Sequence, residues 1–393
     1  MSAHIAIVSR IYRPEPSAAS SFLGAVADDA VARGHRVTVL TVRPPHGLDV
    51  GEPDEDVRMA PVLRDGSGYV RGYLPYLSFD VPLFFRLLFL RRPDIVFMEP
   101  PPTTGFVVRV VCALRRIPYV YDAADIWSDA AEQVTSSRLV LRVLRATERF
   151  AMRGARAIVT VSEGVRERVA ALGITQPVVV TGFGADTTAF VPPGDVPTDR
   201  VFLYAGTYSH WHGAQILVDG YAAFSATNPG YVLRFIGNGS ERGALERRAQ
   251  ELGIEHSVEF IETMPSADLV PHLHQAVAAF ATQLPDSGYE YAFATKAYSS
   301  MAAGCPVIFV GPDAGPTAAF LERANAEVRG GLVSTYDAAS VAAAMRTIAA
   351  DPLTTPERQS VAEWTAAGHS LAAVAARVVD VIEASHDAAR ERA

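Results

Sequence analysis

Short, unbroken apolar runs alternate with segments of helical period along almost the whole chain, and this rhythm constrains the fold more than any single motif. Ile5 to Val8 is such a run. A loop with Pro14 and Pro16 follows, then a helical segment from Ser20 to Arg33 stopped by Gly34, then the run Val37 to Leu40. The unit recurs as Asp94 to Met98, a helix that follows Pro100-Pro101-Pro102 and reaches Arg116, and Tyr119 to Tyr121. Ala157 to Val161, a helix opened by Ser162 and Glu163, and Val178 to Val180 extend it. Strands that are apolar throughout, rather than on alternate residues, are buried on both faces, as in a parallel sheet covered by helices on each side.

Past Gly182 the pattern loosens into a linker-like stretch, Ala189 to Arg200, with Pro192, Pro193 and Pro197. It then restarts with strands at Val201 to Tyr204, Val232 to Ile236, Val258 to Ile261, Val277 to Ala281, Pro306 to Val310 and Gly331 to Val333. The intervening helices begin near Gly213, Glu241, Ala267, Lys296, Pro316 and Ala338. At 393 residues the chain exceeds one ordinary core, and about 150 residues per domain gives two or three. The expectation is an α/β protein of two Rossmann-like, doubly wound domains facing a cleft, 1–182 and 183–368. A final helix in 369–393 can belong to either domain, including by a return to the first. Ligands of such sheets bind outside the carboxyl ends of the strands, so the cleft is the expected active site.

Composition narrows the partners. The chain is 49% hydrophobic and 20% charged, and 35 basic against 43 acidic residues leave a net charge of −8. Such a surface repels nucleic acid, which is not expected as a partner. Only Cys112 and Cys305 are present, which offers no disulfide framework and no zinc set and suits a reducing cytoplasm. The opening Met1 to Ser9 reads as a strand, with no basic segment leading a long apolar one. The most apolar stretch, Tyr73 to Leu90, is interrupted by Asp80 and Arg86 and does not read as a spanning helix. Its part Phe79 to Leu90, followed by Arg91 and Arg92, is expected to face the core of the first domain. The alternative is a helix lying on a membrane, in peripheral contact with a lipid-linked acceptor. Of the 35 basic residues just one is a lysine, Lys296. In a chain that elsewhere uses arginine, a single lysine marks a place where a compact ammonium is needed.

Lys296 follows an apolar strand and a long loop, Gln283 to Thr295, and starts a short helix. There a helix dipole and an ammonium can act together on a diphosphate; the plain alternative is a solvated surface lysine. His212, just before the helix at Gly213, can reach a phosphate oxygen, and Trp211 can wall a sugar; both can equally be helix-entry packing. A metal held by His210 and His212 finds no carboxylate or Cys nearby in sequence, so no metal is expected. Asp125 and Asp129 flank Trp127 just past a buried strand, where a carboxylate can hold an acceptor hydroxyl or can simply cap a helix. Glu15, in the loop after the first strand, is an acceptor contact or a solvated carboxylate. Gly237 and Gly239 follow a strand, a weak phosphate signal taken alone.

Several ordered segments carry a resemblance. Tyr12-Arg13-Pro14-Glu15-Pro16 and Ala32-Arg33-Gly34-His35 resemble the opening of the retaining family 4 glycosyltransferases, whose fold is GT-B. Tyr76-Leu77-Ser78-Phe79, Glu99-Pro100-Pro101-Pro102 and Asp125-Ile126-Trp127-Ser128-Asp129 are similar to a subgroup that transfers aminosugars in O-antigen and capsule-type pathways. Tyr204-Ala205-Gly206, Ile236-Gly237-Asn238-Gly239 and Thr295-Lys296-Ala297-Tyr298 through Ile308 resemble the donor domain. The chain departs from the family pattern at several points. Thr207 and His212 stand where the family has its Arg/Lys pair, and Ser299 stands where a carboxylate holds the ribose. The partner carboxylate of that signature falls on Tyr291, with Glu290 beside it. Ala124-Asp125 replaces His-Asp, and Ser17-Ala18-Ala19-Ser20 replaces a glycine loop.

The resemblance implies a cytoplasmic retaining transferase. It would move a hexose or N-acetylhexosamine from a nucleotide-diphosphate sugar, UDP first, to a small-molecule or lipid-linked glycan acceptor, with no cofactor beyond the nucleotide sugar. It places Lys296 and Asp125 in catalysis. Gly206, Thr207, His212, Gly237, Met264, Glu290, Tyr291, Thr295 and Ser299 fall at the donor, and Glu15, Ser17, Ala18, Trp127 and Asp129 at the acceptor. Two other readings are a binding protein without catalysis, which the losses at Thr207 and Ser299 would suit, and a UDP-aminosugar 2-epimerase.

Overall fold

The computed structural model describes residues 2–15, 17–45, 53–64, 70, 72–132, 135, 137–192, 194, 199–288 and 290–391. Pro16, Pro193 and Pro197 and the side chain of Trp211 lie outside that description. The chain divides into two compact units, 1–182 with 371–393, and 183–370.

The first unit runs β1 (His4–Val8), α1 (Ala18–Ala32), β2 (Arg36–Val42), β3 (Asp56–Ala60), α2 (Tyr73–Phe89), β4 (Ile95–Met98), α3 (Pro102–Arg115), β5 (Tyr119–Ala123), α4 (Trp127–Glu132), α5 (Arg138–Arg153), β6 (Ala157–Thr160), α6 (Glu163–Ala171) and β7 (Val178–Val180). The second runs β8 (Val201–Ala205), a single turn at His210–His212, α7 (Gln215–Ser225), β9 (Val232–Ile236), α8 (Arg242–Glu251), β10 (Val258–Ile261), α9 (Ser266–Gln275), β11 (Ala276–Thr282), α10 (Lys296–Ala302), β12 (Val307–Val310), α11 (Pro316–Val328), β13 (Gly331–Ser334), α12 (Ala338–Ala350) and α13 (Thr355–His369). The last helix, α14 (Leu371–Arg390), belongs to the first unit.

Both sheets are parallel throughout, in the orders β3-β2-β1-β4-β5-β6-β7 and β10-β9-β8-β11-β12-β13. Each is a doubly wound, Rossmann-like layer, as the apolar runs predict. The two faces of the first sheet are covered by different helices: Ile5 and Ile7 point into a core with Leu23, Val26, Val374 and Val378 of α1 and α14. On the other face Met98 and Tyr121 meet Gly105 of α3, and a Cβ on Gly105 would come 2.8 Å from Cβ of Ala151 in α5. A residue without a side chain is what lets α3 and α5 approach this closely. α14 is fixed to α1 through Arg33, whose guanidinium reaches Asp380 at 2.6 Å and Glu383 at 2.9 Å, and to the end of β7 by Arg377 Nε donating to the Thr181 carbonyl at 2.9 Å.

Three elements escape the periodicity argument. β3 is an edge strand with the mixed sequence Asp-Val-Arg-Met-Ala, half-exposed along its length. α5 is strongly amphipathic but rich in arginine, so its apolar runs are short. α13 does carry a legible signature, since Thr354 and Glu357 form a reciprocal capping box with Pro356 in the first turn. The expectation for Phe79 to Leu90 needs correcting. One stripe of α2, Phe79, Leu83 and Leu87, is buried as expected, but the opposite stripe, with Val81, Phe85 and Phe89, faces outward.

Gly105→Val forces α3 off α5 and should destabilise the protein by roughly 1–3 kcal/mol. A urea-unfolding midpoint equal to that of the parent would refute the close approach.

Candidate active site

The second sheet reverses its winding between β8 and β11, and a pocket of about 380 Å³ opens at the carboxyl ends of the strands there. Its walls come from the loops after β8, β9 and β10 and from the start of α10. Two of these loops lie flush. Gly206 has φ +133° and Gly237 φ +136°, and a Cβ on Gly237 would fall 2.1 Å from the Gly206 carbonyl oxygen. A Cβ on Gly239 would fall 2.5 Å from the Tyr208 carbonyl oxygen. The glycines of the Gly-Asn-Gly segment are therefore first a requirement of loop packing. Asn238 between them lines the pocket, its Oδ1 accepting from the Gly239 amide at 2.8 Å.

Lys296 enters the pocket as the first residue of α10, a helix anchored by its own aromatic. Tyr298 stacks on Phe293 with centroids 4.3 Å apart and meets Phe320 edge-on at 4.8 Å, while Ala297 and Met301 are fully buried. The stem of Lys296 lies against Gly206, where a Cβ would come 2.5 Å from Cε, and its Nζ sits 5.3 Å from the centre of the Tyr204 ring. Burial alone pushes the ammonium down to about 8. Among the described residues, no carboxylate is in the pocket wall. The turn after β8 brings His212 near Lys296. Burial first, and the lysine's charge second, push its imidazole down to about 4 against a hydrogen bond with the Thr207 backbone. His212 is thus neutral near pH 7 and supplies no second positive charge. The first turn of α10 is tight, with the amides of Ala297 and Tyr298 donating to the carbonyls of Ala294 and Thr295 at 3.0 and 3.1 Å. Those amides are committed within the chain, so at this helix the positive charge facing the pocket is the side chain's.

The first sheet reverses between β1 and β4, and the strand ends nearby carry carboxyls and an arginine in place of a lone lysine. Glu99 follows β4 and accepts from Ser9 Oγ at 3.0 Å. Burial pushes its carboxyl up to about 7, Arg10 and Ser9 oppose this, and Asp125 adds to it. Asp122, buried at the end of β5, is held well above the usual carboxylate range by burial, then by Glu99 and Asp125. Arg10 lies under the ring of Tyr76 at 4.2 Å and near Trp127 at 5.8 Å, and its Nη1 donates to the Val70 carbonyl at 2.9 Å. Asp125 is exposed just beyond β5.

This fold is shared with solved structures. Sucrose-phosphate synthase from Thermosynechococcus elongatus superposes with a TM-score of 0.76 at 18% identity, over 98% of this chain and 100% of that one. Anabaena HepE in complex with UDP-glucose gives 0.70 at 16% identity, over 97% and 100%. WaaG, a glycosyltransferase involved in lipopolysaccharide biosynthesis, gives 0.66 at 17% identity, over 96% and 99%. No curated protein matches in sequence. Residues 19–184 match the family Glycosyl transferase 4-like domain, and residues 187–365 match Glycosyl transferases group 1. The chain is a GT-B glycosyltransferase.

In this glycosyltransferase the pocket gathers Gly206, Thr207, Gly237, Met264, Thr295, Lys296 and Ser299 out of the residues that sequence places at the donor. Glu290 is outside its wall and closes a turn of the preceding loop, its Oε1 accepting from the Gly288 amide at 3.1 Å. Tyr291 is half-buried in the same loop. On the acceptor side, Asp125 and Trp127 come just past β5, with Trp127 edge-on to Tyr76 at 6.4 Å, and the others are engaged within the chain as well. Glu15 pairs with Arg64 at 2.6 Å, Asp129 is held by Arg168 at 2.8 and 2.9 Å, and Ser17 caps α1 by accepting from the Ser20 amide, with Ala18 next to it as the helix's first residue. Sequence reasoning passed over Arg10, Glu99 and Asp122. Glu99 had a signal, since it directly follows an apolar strand and precedes three prolines.

A bound phosphate needs the charged form of Lys296, so affinity for a nucleoside diphosphate should fall as pH rises through about 8, by close to tenfold per pH unit at the upper end. Calorimetric titration from about one unit below that value to one above checks this. In Lys296→Gln the pH slope should disappear, and its persistence there would assign the titration to another group.

Proposed function

We propose that this glycosyltransferase moves a hexose or N-acetylhexosamine from a UDP-linked donor, with retention at the anomeric carbon, to a hydroxyl of a small-molecule or lipid-linked glycan. The observation that carries the reading is Lys296, a half-sheltered ammonium with no carboxylate among the described residues of its pocket wall, at the switch point of the second sheet. Depression from 10.5 to about 8 corresponds to roughly 3 kcal/mol against the charged form. An arriving diphosphate reverses that disadvantage, and at an effective dielectric of about 20 a phosphate oxygen 4 Å away contributes about 4 kcal/mol. The family likeness and the neighbouring fold of HepE, which is in complex with UDP-glucose, support a uridine donor.

In this reading the bond from the anomeric carbon to the diphosphate oxygen breaks while the acceptor oxygen bonds to the same face. The acceptor's hydroxyl proton passes to the departing phosphate. Lys296 stabilises the charge that develops on the leaving group, Thr207, Thr295 and Ser299 offer hydroxyls around it, and the backbone at Met264 faces the base. Ser299 holds the ribose in place of a carboxylate, and Asp125 orients the acceptor. The ammonium supplies the positive charge, so the scheme assigns no metal. The 2-epimerase alternative needs acid and base groups at the sugar C2, and the described pocket wall offers Lys296 as its one ionisable side chain. Two buried free thiols, Cys112 and Cys305, suit a cytoplasmic setting.

A panel of nucleotide sugars scored by thermal shift and by slow hydrolysis tests the donor. UDP-sugars should stabilise the protein and be consumed, with the released sugar first appearing in the donor's own anomeric form. Lys296→Ala should lower turnover by about a hundredfold or more with the fold intact. Stabilisation by a different nucleotide alone would replace UDP, and unchanged turnover in Lys296→Ala would remove the donor assignment.

A further inference from the structure

α2, α3 and α5 pack side by side over one face of the first sheet, and their outer surface differs from an ordinary solvated layer. On α2, Leu74, Leu77, Val81, Phe85 and Phe89 are 53–79% exposed and recur every three or four residues, so they form one stripe. α3 adds Phe106 and Leu114, and α5 adds Leu139, Val143 and Phe150. The rings of Phe106 and Phe150 pack at 5.0 Å, which joins the stripes of α3 and α5 into one surface.

The charge on these helices is one-sided. They contain eight arginines and two carboxylates, Asp80 and Glu148. Both carboxylates are buried: Asp80 accepts from Thr104 Oγ1 at 2.6 Å, and Glu148 accepts from the Trp127 and Ser128 amides at 2.8 and 3.2 Å. Arg138, Arg142, Arg149 and Arg153 are exposed along α5, and Arg91 is exposed just past the end of α2. A chain of net charge −8 thus shows a face that is both apolar and basic.

We propose that the outer face of α2, α3 and α5 docks on an anionic lipid bilayer, its aromatic and aliphatic stripe at the acyl boundary and its arginines at the phosphate headgroups. Charge complementarity selects this occupant. A second copy joined symmetrically would set arginine against arginine, and nucleic acid has no surface to cover five exposed α2 hydrophobics. A bilayer with acidic headgroups matches both features at once. The surface lies wholly within the first unit and does not depend on the donor reading.

The test floats the full chain with phosphatidylcholine vesicles and with vesicles containing about one third phosphatidylglycerol. Flotation is expected with the anionic vesicles, weakened but not abolished by high salt because the apolar stripe is not screened. Phe85→Ser/Phe89→Ser and Arg142→Glu/Arg149→Glu should each reduce it about tenfold or more. Both pairs are exposed, so the circular dichroism spectrum and unfolding midpoint should match the parent. No flotation at low salt, equal flotation on neutral and anionic vesicles, or flotation unchanged in both variants overturns the proposal. A dimer seen by light scattering and lost in Phe85→Ser/Phe89→Ser also overturns it, assigning the face to a second copy.

Discussion

Gly206 has no side chain because the stem of Lys296 occupies the space one would need. The glycine's carbonyl in turn fills the place of a Cβ on Gly237, so three segments far apart in sequence converge where only backbone fits. The ammonium is delivered by α10, whose position follows from Tyr298 stacking on Phe293 and meeting Phe320 edge-on. It ends beside the Tyr204 ring, and among the described residues no carboxylate is in the pocket wall around it. A cation partly withdrawn from water is unfavourable unless a ligand brings the opposite charge. The packing of two loops and one helix thereby becomes a preference for an anion.

The two sheets share a topology but carry opposite chemistry at their switch points. In the second, the ligand-facing strand ends are glycine, threonine and one lysine. In the first they carry Glu99, Asp122 and Asp125 against Arg10, and burial drives the carboxyls of Glu99 and Asp122 towards their neutral forms. A protonated carboxyl can donate as well as accept, which suits hydroxyl-rich ligands better than anionic ones. In the proposed reading the diphosphate lies at one switch point and the acceptor hydroxyls at the other, and the local charge at each differs from what the net −8 suggests.

The doubly wound fold was legible in the sequence because strands buried on both faces leave continuous apolar runs such as Ile5 to Val8 and Ile308 to Val310. β3 and α5 were not, for opposite reasons: an edge strand buries too little to be uniformly apolar, and α5 spends its polar positions on arginine. In the site, the chain's single lysine stands out by count, and Lys296 lines the pocket of the second sheet. The glycines were visible too, but their reason was not, since a Gly-x-Gly motif shows neither the 2.1 Å approach at Gly237 nor what lies opposite. Glu15 and Asp129 show the converse. A carboxylate at a strand end looks available until its arginine, Arg64 or Arg168, is brought in from a distant element.

α2 shows how one sequence period can serve two surroundings. Its buried residues Phe79, Leu83 and Leu87 follow the helical repeat, and so do Leu77, Val81, Phe85 and Phe89 on the opposite side. Because both stripes are apolar, hydropathy cannot tell a core helix from an interfacial one here, and the choice between them was never exclusive. What separates the stripes is the neighbourhood that folding supplies. The inner one meets the sheet, and the outer one is exposed beside α3 and α5, where both acids are drawn inside while Arg138, Arg142, Arg149 and Arg153 of α5 remain out. An acidic protein can in this way keep a basic, greasy face that its composition conceals.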